Sequence, residues 1–560
     1  MIRMQYLSEK NKARGYRHDL SPAWRRHIAI ATSVGALAMV GSAVQATTIS
    51  GIGLSGLPAG LDGAGVNVAQ VEANAAPAPT SGTQTTDEFE AYPAGTSINN
   101  SAIANAITYI DFNGHQSSTI GATYVSGGTT YTDTQSGHAD AVGANFYGTN
   151  GVAPGVAHVD NYDAGYFQNS VVGALNTTSL TPPATLNNDQ VINQSFINEF
   201  PSTDTETQVA QEQDLIDGEY DNYTNTYGTI FVSAVGDGSV EATTTSQINP
   251  PATAYNSIAV GAYPYSTSST GIGPTSDGRS APDIVAPASA TSYSTPLVSG
   301  AAAIMVQAGT QSNMTGATDE RTIKALLLNG AVKPDGWTNS YTVNNGIYTY
   351  NPVSTTTTTP LDPRYGAGIL NVDNAYNNLE AGHVAASSVN NSTTVITSPT
   401  ISQNEGWSYA QITAGTLANN VAHYVFDLSN TRSEYNLTGT LVWNAQTQAS
   451  LTHVAGGGEA PSFSETLNQL DLNIYNASTD ALVASSASTV DNLQQLYVLG
   501  LAPGTYDLQV VDKGGAAAWA SSSDYYSLAF NFQPVPEPAA MLLLFSGLMG
   551  LALRRRWVRH

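Results

Sequence analysis

The chain has 560 residues, a formal net charge of −25 and no cysteine. Its length predicts two or three domains, and the missing cysteines exclude disulfides, iron–sulfur clusters and thiol catalysis. Only seven of the 18 Lys and Arg lie between residues 30 and 553, which argues against nucleic-acid binding, because that requires basic patches.

The first 46 residues have the layout of a signal peptide. The basic pair Arg25 and Arg26 precedes an apolar stretch at 28–44, which ends in the small-residue sequence Val-Gln-Ala. This order of basic region, apolar region and cleavage site is typical of export signals. We expect cleavage after Ala46, and the alternative is an anchor that stays in the protein.

Between residues 60 and 380, after a short leader at 47–59, β-rich apolar runs alternate with Ala-rich helical runs. The apolar runs are VNVAQVEA, VINQSF, TIFVSAV, SIAVGAY and PDIVAP. Continuous apolar strands of this kind predict an α/β domain with a parallel sheet covered by helices. The polar stretch at 80–101 and the threonine run at 355–359 are predicted to be solvent-exposed loops inside this domain.

Ser292 stands just before a long apolar run that predicts a buried helix. Pro296 is placed to open this helix, because proline suits a first helical turn. A serine at that place is either a helix cap or a nucleophile at the helix N-terminus, where backbone N–H groups stabilise an oxyanion. Position alone favours the cap, so the rest of the chain must decide.

A serine nucleophile also needs a base, a group that orients the base and an oxyanion donor. The base candidate is His138, followed by small residues typical of a helix; His115 in a polar loop and His158 on a predicted strand are the alternatives. Glu72 is the candidate orienter, because it ends an apolar strand and α/β active sites form at such ends. Asp237, between two glycines, is the candidate oxyanion donor. The alternative interpretations are a structural histidine, an exposed acid and an ordinary Asp-Gly turn.

From about residue 385 to 532 the pattern changes to short alternating segments separated by turn residues. Examples are HYVFDL, TGTLVWNA, LDLNIYN, QLYVLGL and TYDLQVV. Alternation of apolar and polar residues at regular spacing predicts an antiparallel β-sandwich. The chain is therefore expected to contain an α/β domain followed by a separate β domain.

The C-terminal tail, residues 535–560, has three parts in order. A Pro-Glu-Pro sequence precedes an apolar segment at 539–553, and Arg554, Arg555 and Arg556 follow it. This order resembles the PEP-CTERM sorting tail of Gram-negative bacteria, whose processing is ascribed to a membrane enzyme called exosortase. We therefore expect export to the cell envelope, outer surface or exterior, with a transient membrane tether. A plain C-terminal membrane anchor is the alternative, since the apolar segment is short for a free-standing span.

The segment from residue 60 to 380 resembles the subtilisin-like serine proteases, or subtilases. ATSYSTPLVSG resembles the family's serine motif, with Ala290 in place of a glycine, and HADAVG resembles its histidine motif. Further landmarks follow in the family's order: GVAPGVAHV, VINQSF, SIAVGAY, GRSAPDIVAP and YGAGILNVDNAY. The order of these motifs makes chance a poor explanation and favours the nucleophile over the helix cap.

The resemblance implies a subtilisin-like α/β fold and a serine endopeptidase that cleaves protein or peptide substrates. It assigns the catalytic and oxyanion roles to Glu72, His138, Ser292 and Asp237, and substrate binding to Ser195, Phe196 and Ile197. The C-terminal region is similar to the jelly-roll domains that follow some bacterial subtilases. Many subtilases bind structural calcium, but no clear ligand spacing is present. No cofactor and no metal ligand are therefore assigned.

Two departures from the family pattern bear on activity. Glu72 stands where the family has an aspartate, and its carboxylate can still accept a hydrogen bond from the imidazole. Asp237 stands where the family has an asparagine, and only its protonated form donates a hydrogen bond. Because the histidine base must be neutral while Asp237 must be protonated, we expect a narrow, mildly acidic optimum.

These departures, together with Ala290 in place of a glycine, motivate a second hypothesis. The chain could be a catalytically impaired subtilase-like protein that serves as a surface or matrix scaffold. A membrane-tethered binding module built on the C-terminal sandwich is the third hypothesis. A reactive serine would separate the first hypothesis from the other two.

Overall fold

The computed structural model describes residues 28–29, 51–76, 84–200, 205–238, 247–344, 346–415, 418–454, 458–514 and 523–536. Apart from Ile28–Ala29, the predicted signal peptide lies outside the described residues, as does the apolar part of the C-terminal tail. An α/β part comes first along the chain and a β-rich part follows it.

An eight-stranded sheet forms the centre of the α/β part. In spatial order its strands are Ile284–Pro287, Ile258–Tyr263, Ile230–Ala234, Val191–Gln194, Asn67–Glu72, His158–Asp163, Ile107–Ile110 and Gln116–Ser117. All neighbours pair in parallel except the last two. Five of these strands, those of the predicted apolar runs, are buried along nearly their whole length, as strands covered on both faces are. The edge strand Gln116–Ser117 is not buried. The predicted parallel sheet is confirmed.

Five helices of nine or more residues occur in the part of the chain that the structure describes. They are Gly137–Phe146, Glu206–Tyr227, Thr291–Ser312, Glu320–Gly330 and Val372–Glu380. Shorter helical segments are Leu54–Gly56, Ile103–Asn105, Ala164–Tyr166 and Phe167–Val172. We call Gly137–Phe146 the histidine helix and Thr291–Ser312 the serine helix. The serine helix is buried along nearly its whole length up to Gly309, as an all-round apolar helix requires.

The prediction that Pro296 opens the serine helix was wrong. The helix begins at Thr291, and Pro296 lies inside it. The physical reason is a cap from another loop, because the Asp237 carboxylate accepts a hydrogen bond from the Thr291 N–H. With that donor satisfied, the helix starts a full turn earlier than the proline suggests.

A three-stranded side sheet lies beside the central sheet. Its strands, in order, are Thr86–Glu90, Thr129–Gln135 and Thr123–Ser126. The first pair is parallel and the second antiparallel. The prediction that residues 80–101 form a solvent-exposed loop was therefore wrong. Asp87, Phe89 and Glu90 are fully buried in this sheet, because the strand Thr86–Glu90 packs against both Thr129–Gln135 and the central strand His158–Asp163.

The C-terminal part contains two packed sheets. One has six strands in the order Thr356–Thr357, Ala481–Ser486, Leu470–Asn476, Gly504–Asp512, Val421–Leu428 and Ser388–Asn390. The other has four strands in the order Glu405–Thr413, Ser523–Pro534, Tyr435–Trp443 and Leu493–Leu501. Residues of both sheets, including Phe426, Leu441, Leu508 and Phe530, share one apolar core. Two separate hairpins are Tyr341–Asn344 with Ile347–Tyr350, and Gln446–Val454 with Gly458–Thr466.

The β-rich part packs closely against the α/β part. Trp407, Val442 and Leu493 belong to the same apolar cluster as the serine helix, and Asp491 accepts a 2.7 Å hydrogen bond from the Ser280 N–H. The threonine run at 355–359 also crosses this junction, because it pairs with the strand Ala481–Ser486. It was predicted to be a solvent-exposed loop. Thr355, Thr356 and Thr358 are exposed as predicted, but Thr356–Thr357 form a short edge strand and Thr357 is buried, because the sheet edge offers backbone partners.

Candidate active site

A buried carboxylate–histidine pair lies at the carboxyl end of the central sheet. Glu72 is the last residue of its strand and is 1% exposed. His138 lies in the first turn of the histidine helix, whose start is capped by Ser136. Glu72 Oε2 is 2.7 Å from His138 Nδ1. An ionised carboxylate can only accept, so this contact fixes the imidazole proton on Nδ1 and leaves Nε2 as the proton acceptor.

Gln70 holds the second oxygen of Glu72, a contact that the sequence analysis missed. Its Nε2 donates to Glu72 Oε1 at 2.8 Å and to the backbone carbonyl of Ala139 at 2.8 Å. The Tyr147 hydroxyl donates to Gln70 Oε1 at 2.6 Å. Residues two apart on a strand share one face, so a glutamine two positions before Glu72 in an apolar strand was the available signal.

His138 Nε2 is buried and has no hydrogen-bond partner among the described residues. The serine helix packs against the histidine helix, and the ring of Tyr293 lies 6.1 Å from that of His138. Ser292, the neighbour of Tyr293, lies in the first turn of the serine helix and is 0% exposed. The fold thus places the predicted serine, histidine and glutamate in one region.

Asp237 occupies a tight turn after the strand Ile230–Ala234. Gly236 and Gly238 on either side have φ angles of 99° and 66°, and a Cβ at Gly238 would lie 2.6 Å from the Thr270 carbonyl oxygen. Asp237 Oδ1 accepts hydrogen bonds from the Thr291 N–H at 2.9 Å and from its hydroxyl at 2.8 Å. Asp237 therefore lies directly beside the start of the serine helix.

The environment of Asp237 raises its pKa above the usual value of an aspartate. Burial raises the pKa of Asp237, while the two hydrogen bonds from Thr291 and the charge of His138 act in the opposite direction. Because Oδ1 already accepts two hydrogen bonds, the proton of a neutral Asp237 carboxyl belongs on Oδ2. Oδ2 is then the atom that can donate.

The predicted substrate-binding residues have buried side chains. Ser195, Phe196 and Ile197 are 1%, 0% and 1% exposed. The Ser195 hydroxyl donates to the backbone carbonyl of Ser292 at 2.9 Å. The backbone of Ile197–Asn198 pairs antiparallel with Ile28–Ala29 of the N-terminal segment. The side chains of this segment are thus buried, while its backbone at Ile197–Asn198 pairs with another strand.

The two alternative candidates for the base, His158 and His115, lie elsewhere. His158 begins its strand, at the end of the sheet opposite Glu72, and its Nε2 is 3.3 Å from Asp160. His115 lies in a loop with Asp111, and its ring stacks on Tyr124 with centroids 4.2 Å apart. Of these three histidines, His138 is the one that contacts the glutamate at the end of a central strand.

A parallel α/β sheet, a serine in the first turn of a buried helix and a histidine–carboxylate pair are the features of serine hydrolases. The chain belongs to the Subtilase family, whose family model matches residues 95–407, more than half of its length. His138, Asp237 and Ser292 lie inside the matched residues, while Glu72 precedes them. A second match, to the PEP-CTERM protein-sorting motif, covers residues 534–556.

Solved structures of similar fold include three bacterial proteases. A serine protease of Aeromonas sobria is 13% identical, with 85% of this chain and 89% of that chain covered and a TM-score of 0.32. A protease from Pseudoalteromonas arctica is 16% identical, with 60% and 93% covered and a TM-score of 0.32. The epidermin leader peptide processing protease from Staphylococcus aureus is 15% identical, with 59% and 80% covered and a TM-score of 0.36. Membership of the family rests on the family match and not on these likenesses.

Two further comparisons gave negative results. No curated protein matched the chain. Among the helices of the described residues, none is long and apolar enough to span a membrane.

Proposed function

We propose that the chain is an exported serine endopeptidase that uses Ser292 as nucleophile, His138 as base and Glu72 as the group that orients the base. The proposal is carried by the 2.7 Å contact between His138 Nδ1 and Glu72 Oε2. A buried carboxylate in this position selects the imidazole tautomer that can take a proton at Nε2 and stabilises the imidazolium that results. The glutamate then replaces the family's aspartate in the same role.

The reaction proceeds by two acyl transfers. The Ser292 hydroxyl oxygen bonds to the scissile carbonyl carbon while its proton passes to His138 Nε2. The carbon–nitrogen bond then breaks, and the leaving amine takes that proton from His138. Water attacks the acyl-enzyme by the same route, which releases the carboxylic acid and restores the serine. Glu72 stays ionised throughout and pairs with the imidazolium.

Two donors are proposed for the oxyanion of the tetrahedral intermediates. One is the backbone N–H of Ser292, in the first turn of the serine helix, where the helix dipole favours negative charge. The other is protonated Asp237, with the proton on Oδ2. Asp237 Oδ1 is held by Thr291, the residue before the nucleophile, which keeps the carboxyl group next to the reacting serine.

The substrate is a protein or peptide in extended conformation. Its backbone is proposed to pair with the segment Ser195–Ile197, as an added strand. The buried side chains of that segment support this mode, because only backbone groups remain for recognition. Antiparallel pairing of Ile28–Ala29 with Ile197–Asn198 indicates that an extended segment fits against this edge.

The destination of the protein follows from its C-terminal tail. The PEP-CTERM match at 534–556 supports export in a Gram-negative bacterium and recognition by exosortase-type sorting machinery. We place the peptidase at the cell envelope, outer surface or exterior, with a membrane tether that is transient. Its substrates are then proteins outside the inner membrane.

One observation favours a second candidate function, a catalytically impaired surface or matrix scaffold. Asp237 accepts two hydrogen bonds from Thr291, as an ionised carboxylate does, and an ionised Asp237 would repel an oxyanion. In that case the subtilase fold would serve as a scaffold without catalytic activity.

A fluorophosphonate probe separates the two functions. The full chain is labelled across about pH 4 to 9, beside Ser292→Ala and Ser294→Ala, since Ser294 is a buried serine in the same turn whose hydroxyl donates to the Thr291 carbonyl. We expect labelling that requires Ser292, survives Ser294→Ala and is strongest at mildly acidic pH. Labelling confined to neutral or alkaline pH would retain the nucleophile and reject a protonated Asp237. A folded chain that is not labelled at any pH would favour the scaffold.

A further inference from the structure

A buried acidic pocket lies between the side sheet and the central sheet. We define it by Asp87, Glu90, Asp111, Asp133 and His115. The four acids are each at most 1% exposed. One ligand atom from each of Asp111, His115 and Asp133 lies within 4.8 Å of the others. Burial of this many carboxylates together is costly unless a cation compensates them.

Three of the acids share one hydrogen-bonding pattern. Asp111 Oδ1 accepts from the backbone N–H of Asn113 and of His115, both at 2.8 Å. Asp87 Oδ2 accepts from the Phe112 N–H at 3.0 Å, and Glu90 Oε2 from the Gly121 N–H at 2.7 Å. In each case backbone N–H groups hold one carboxylate oxygen of the acid, and this fixes the direction of its second oxygen.

The second atoms of these groups are buried without a hydrogen-bond partner in the part of the chain that the structure describes. They are Asp87 Oδ1, Glu90 Oε1, Asp111 Oδ2, Asp133 Oδ1 and His115 Nδ1. Buried polar atoms are rarely left without a partner in folded proteins. Five of them in one pocket, four oxygens and an imidazole nitrogen, indicate an electron-pair acceptor in this pocket.

The chain itself supplies no such cation nearby. No Lys or Arg occurs between Arg26 and Arg279 in the sequence, and no ion pair involves these four acids within the described ranges. The cation must come from solution.

We propose that Asp111, Asp133 and His115 bind one divalent cation of the Mn²⁺ or Zn²⁺ type, with Asp87 and Glu90 completing the negative surroundings. An imidazole nitrogen among carboxylate oxygens suits these ions, whereas Ca²⁺ and Mg²⁺ take oxygen ligands. Ligands about 2.0–2.3 Å from one ion lie up to roughly 4.6 Å apart. The three ligand atoms lie within 4.8 Å of one another, so small side-chain shifts are enough to bring them around one ion.

The ion would join two segments and lie beside a third. Asp87 and Glu90 lie on the strand Thr86–Glu90, Asp111 and His115 on one loop, and Asp133 on the strand Thr129–Gln135. That last strand leads through the cap residue Ser136 into the histidine helix. Metal binding would thus stabilise the segment that positions His138, without contacting the reacting groups.

A titration of the full chain tests the site. Chelator-treated protein is titrated with Mn²⁺, Zn²⁺ and Ca²⁺, and we expect one equivalent of Mn²⁺ or Zn²⁺ to bind and to raise the unfolding temperature. Asp133→Asn and His115→Gln should each weaken binding at least about ten-fold. Pulsed electron paramagnetic resonance of bound Mn²⁺ should show coupling to a ¹⁴N nucleus in the native chain and lose it in His115→Gln.

Matched controls locate the site. Asp189 is another buried acid whose two carboxylate oxygens have no described partner, and His158 is another half-buried histidine. Asp189→Asn and His158→Gln should bind the ion as the native chain does. No binding, binding lost in the controls but kept in the pocket variants, or a preference for Ca²⁺ that ignores His115 would each overturn the proposal. If Asp133→Asn does not fold, His115→Gln at its loop position carries the test.

Discussion

The hydroxyl of Ser195 donates a 2.9 Å hydrogen bond to the backbone carbonyl of Ser292. Pro296, one helical turn further on, has no N–H, so this carbonyl lacks the donor that an α-helix normally provides. Ser195 replaces the missing donor from the neighbouring segment. It is held in turn by Asn193, whose amide donates to its hydroxyl at 3.0 Å. The start of the serine helix is therefore fastened to the segment proposed to bind substrate.

A double-mutant cycle tests whether the Ser195 hydrogen bond compensates for the N–H that Pro296 lacks. Ser195→Ala should lower the free energy of unfolding by about 1–3 kcal/mol, because it removes the hydroxyl that donates to a buried carbonyl. In a Pro296→Ala background the helix can provide its own N–H, so the same substitution should cost less. Denaturant titration of the four chains measures the coupling. Equal costs in both backgrounds would show that the hydrogen bond does not compensate for the proline.

The contact between Glu72 and His138 predicts that exchanging one carboxylate oxygen of Glu72 for an amide nitrogen strongly lowers the rate of catalysis. Glu72→Gln keeps the size of the side chain but can stabilise neither the required tautomer nor the imidazolium, so the rate of peptide hydrolysis should fall by about 10⁴-fold. Glu72→Asp keeps the charge and should lose less. Glu88→Gln, on the side sheet, serves as the matched control and should hydrolyse peptide normally. A Glu72→Gln chain of native activity would contradict the role of orienter.

The raised pKa of Asp237 predicts a falling limb in the pH profile. Below this pKa Asp237 is protonated and donates to the oxyanion; above it the carboxylate repels the oxyanion, so kcat/KM should decrease as pH rises. The groups that face Asp237 are Thr291, the imidazole of His138 and the phenol of Tyr293, whose own pKa Asp237 helps to raise.

Asp237→Asn should remove that limb, because an amide donates at every pH. The measurement is kcat/KM as a function of pH for both chains. We expect the asparagine variant to gain activity at neutral and alkaline pH relative to the native chain, with the acidic limb unchanged. Superimposable profiles would mean that Asp237 does not donate to the oxyanion.

Close packing of the serine helix predicts a stability effect at Gly300. A Cβ there would lie 2.5 Å from Val152 Cβ, so Gly300→Ala should destabilise the fold by about 1–3 kcal/mol through overpacking. Gly137, also helical, has open space around its Cβ position. Gly137→Ala should leave stability unchanged or raise it by about 0.5–1 kcal/mol. Thermal unfolding compares the two, and equal effects would contradict the close approach.

Much of the α/β fold could be predicted because its signals are local. Five of the eight strands of the central sheet lie in the continuous apolar runs, and the motif around Ser292 marks the serine helix. The errors came from residues whose environment is not local. Pro296 is compatible with a helix interior only because Asp237 and Ser195 satisfy the backbone groups around it, and both lie far away in sequence.

By itself, the sequence determined the strand and helix pattern, the order of the family motifs and the identity of Glu72, His138, Asp237 and Ser292 as candidates. Only the tertiary structure decided how these groups meet, that Gln70 and Ser195 hold them, and that the acids of the stretch 80–101 are buried. The physical reason is that periodicity along a chain reports which face of an element is apolar. Which distant polar atoms then share a pocket depends on how the elements pack.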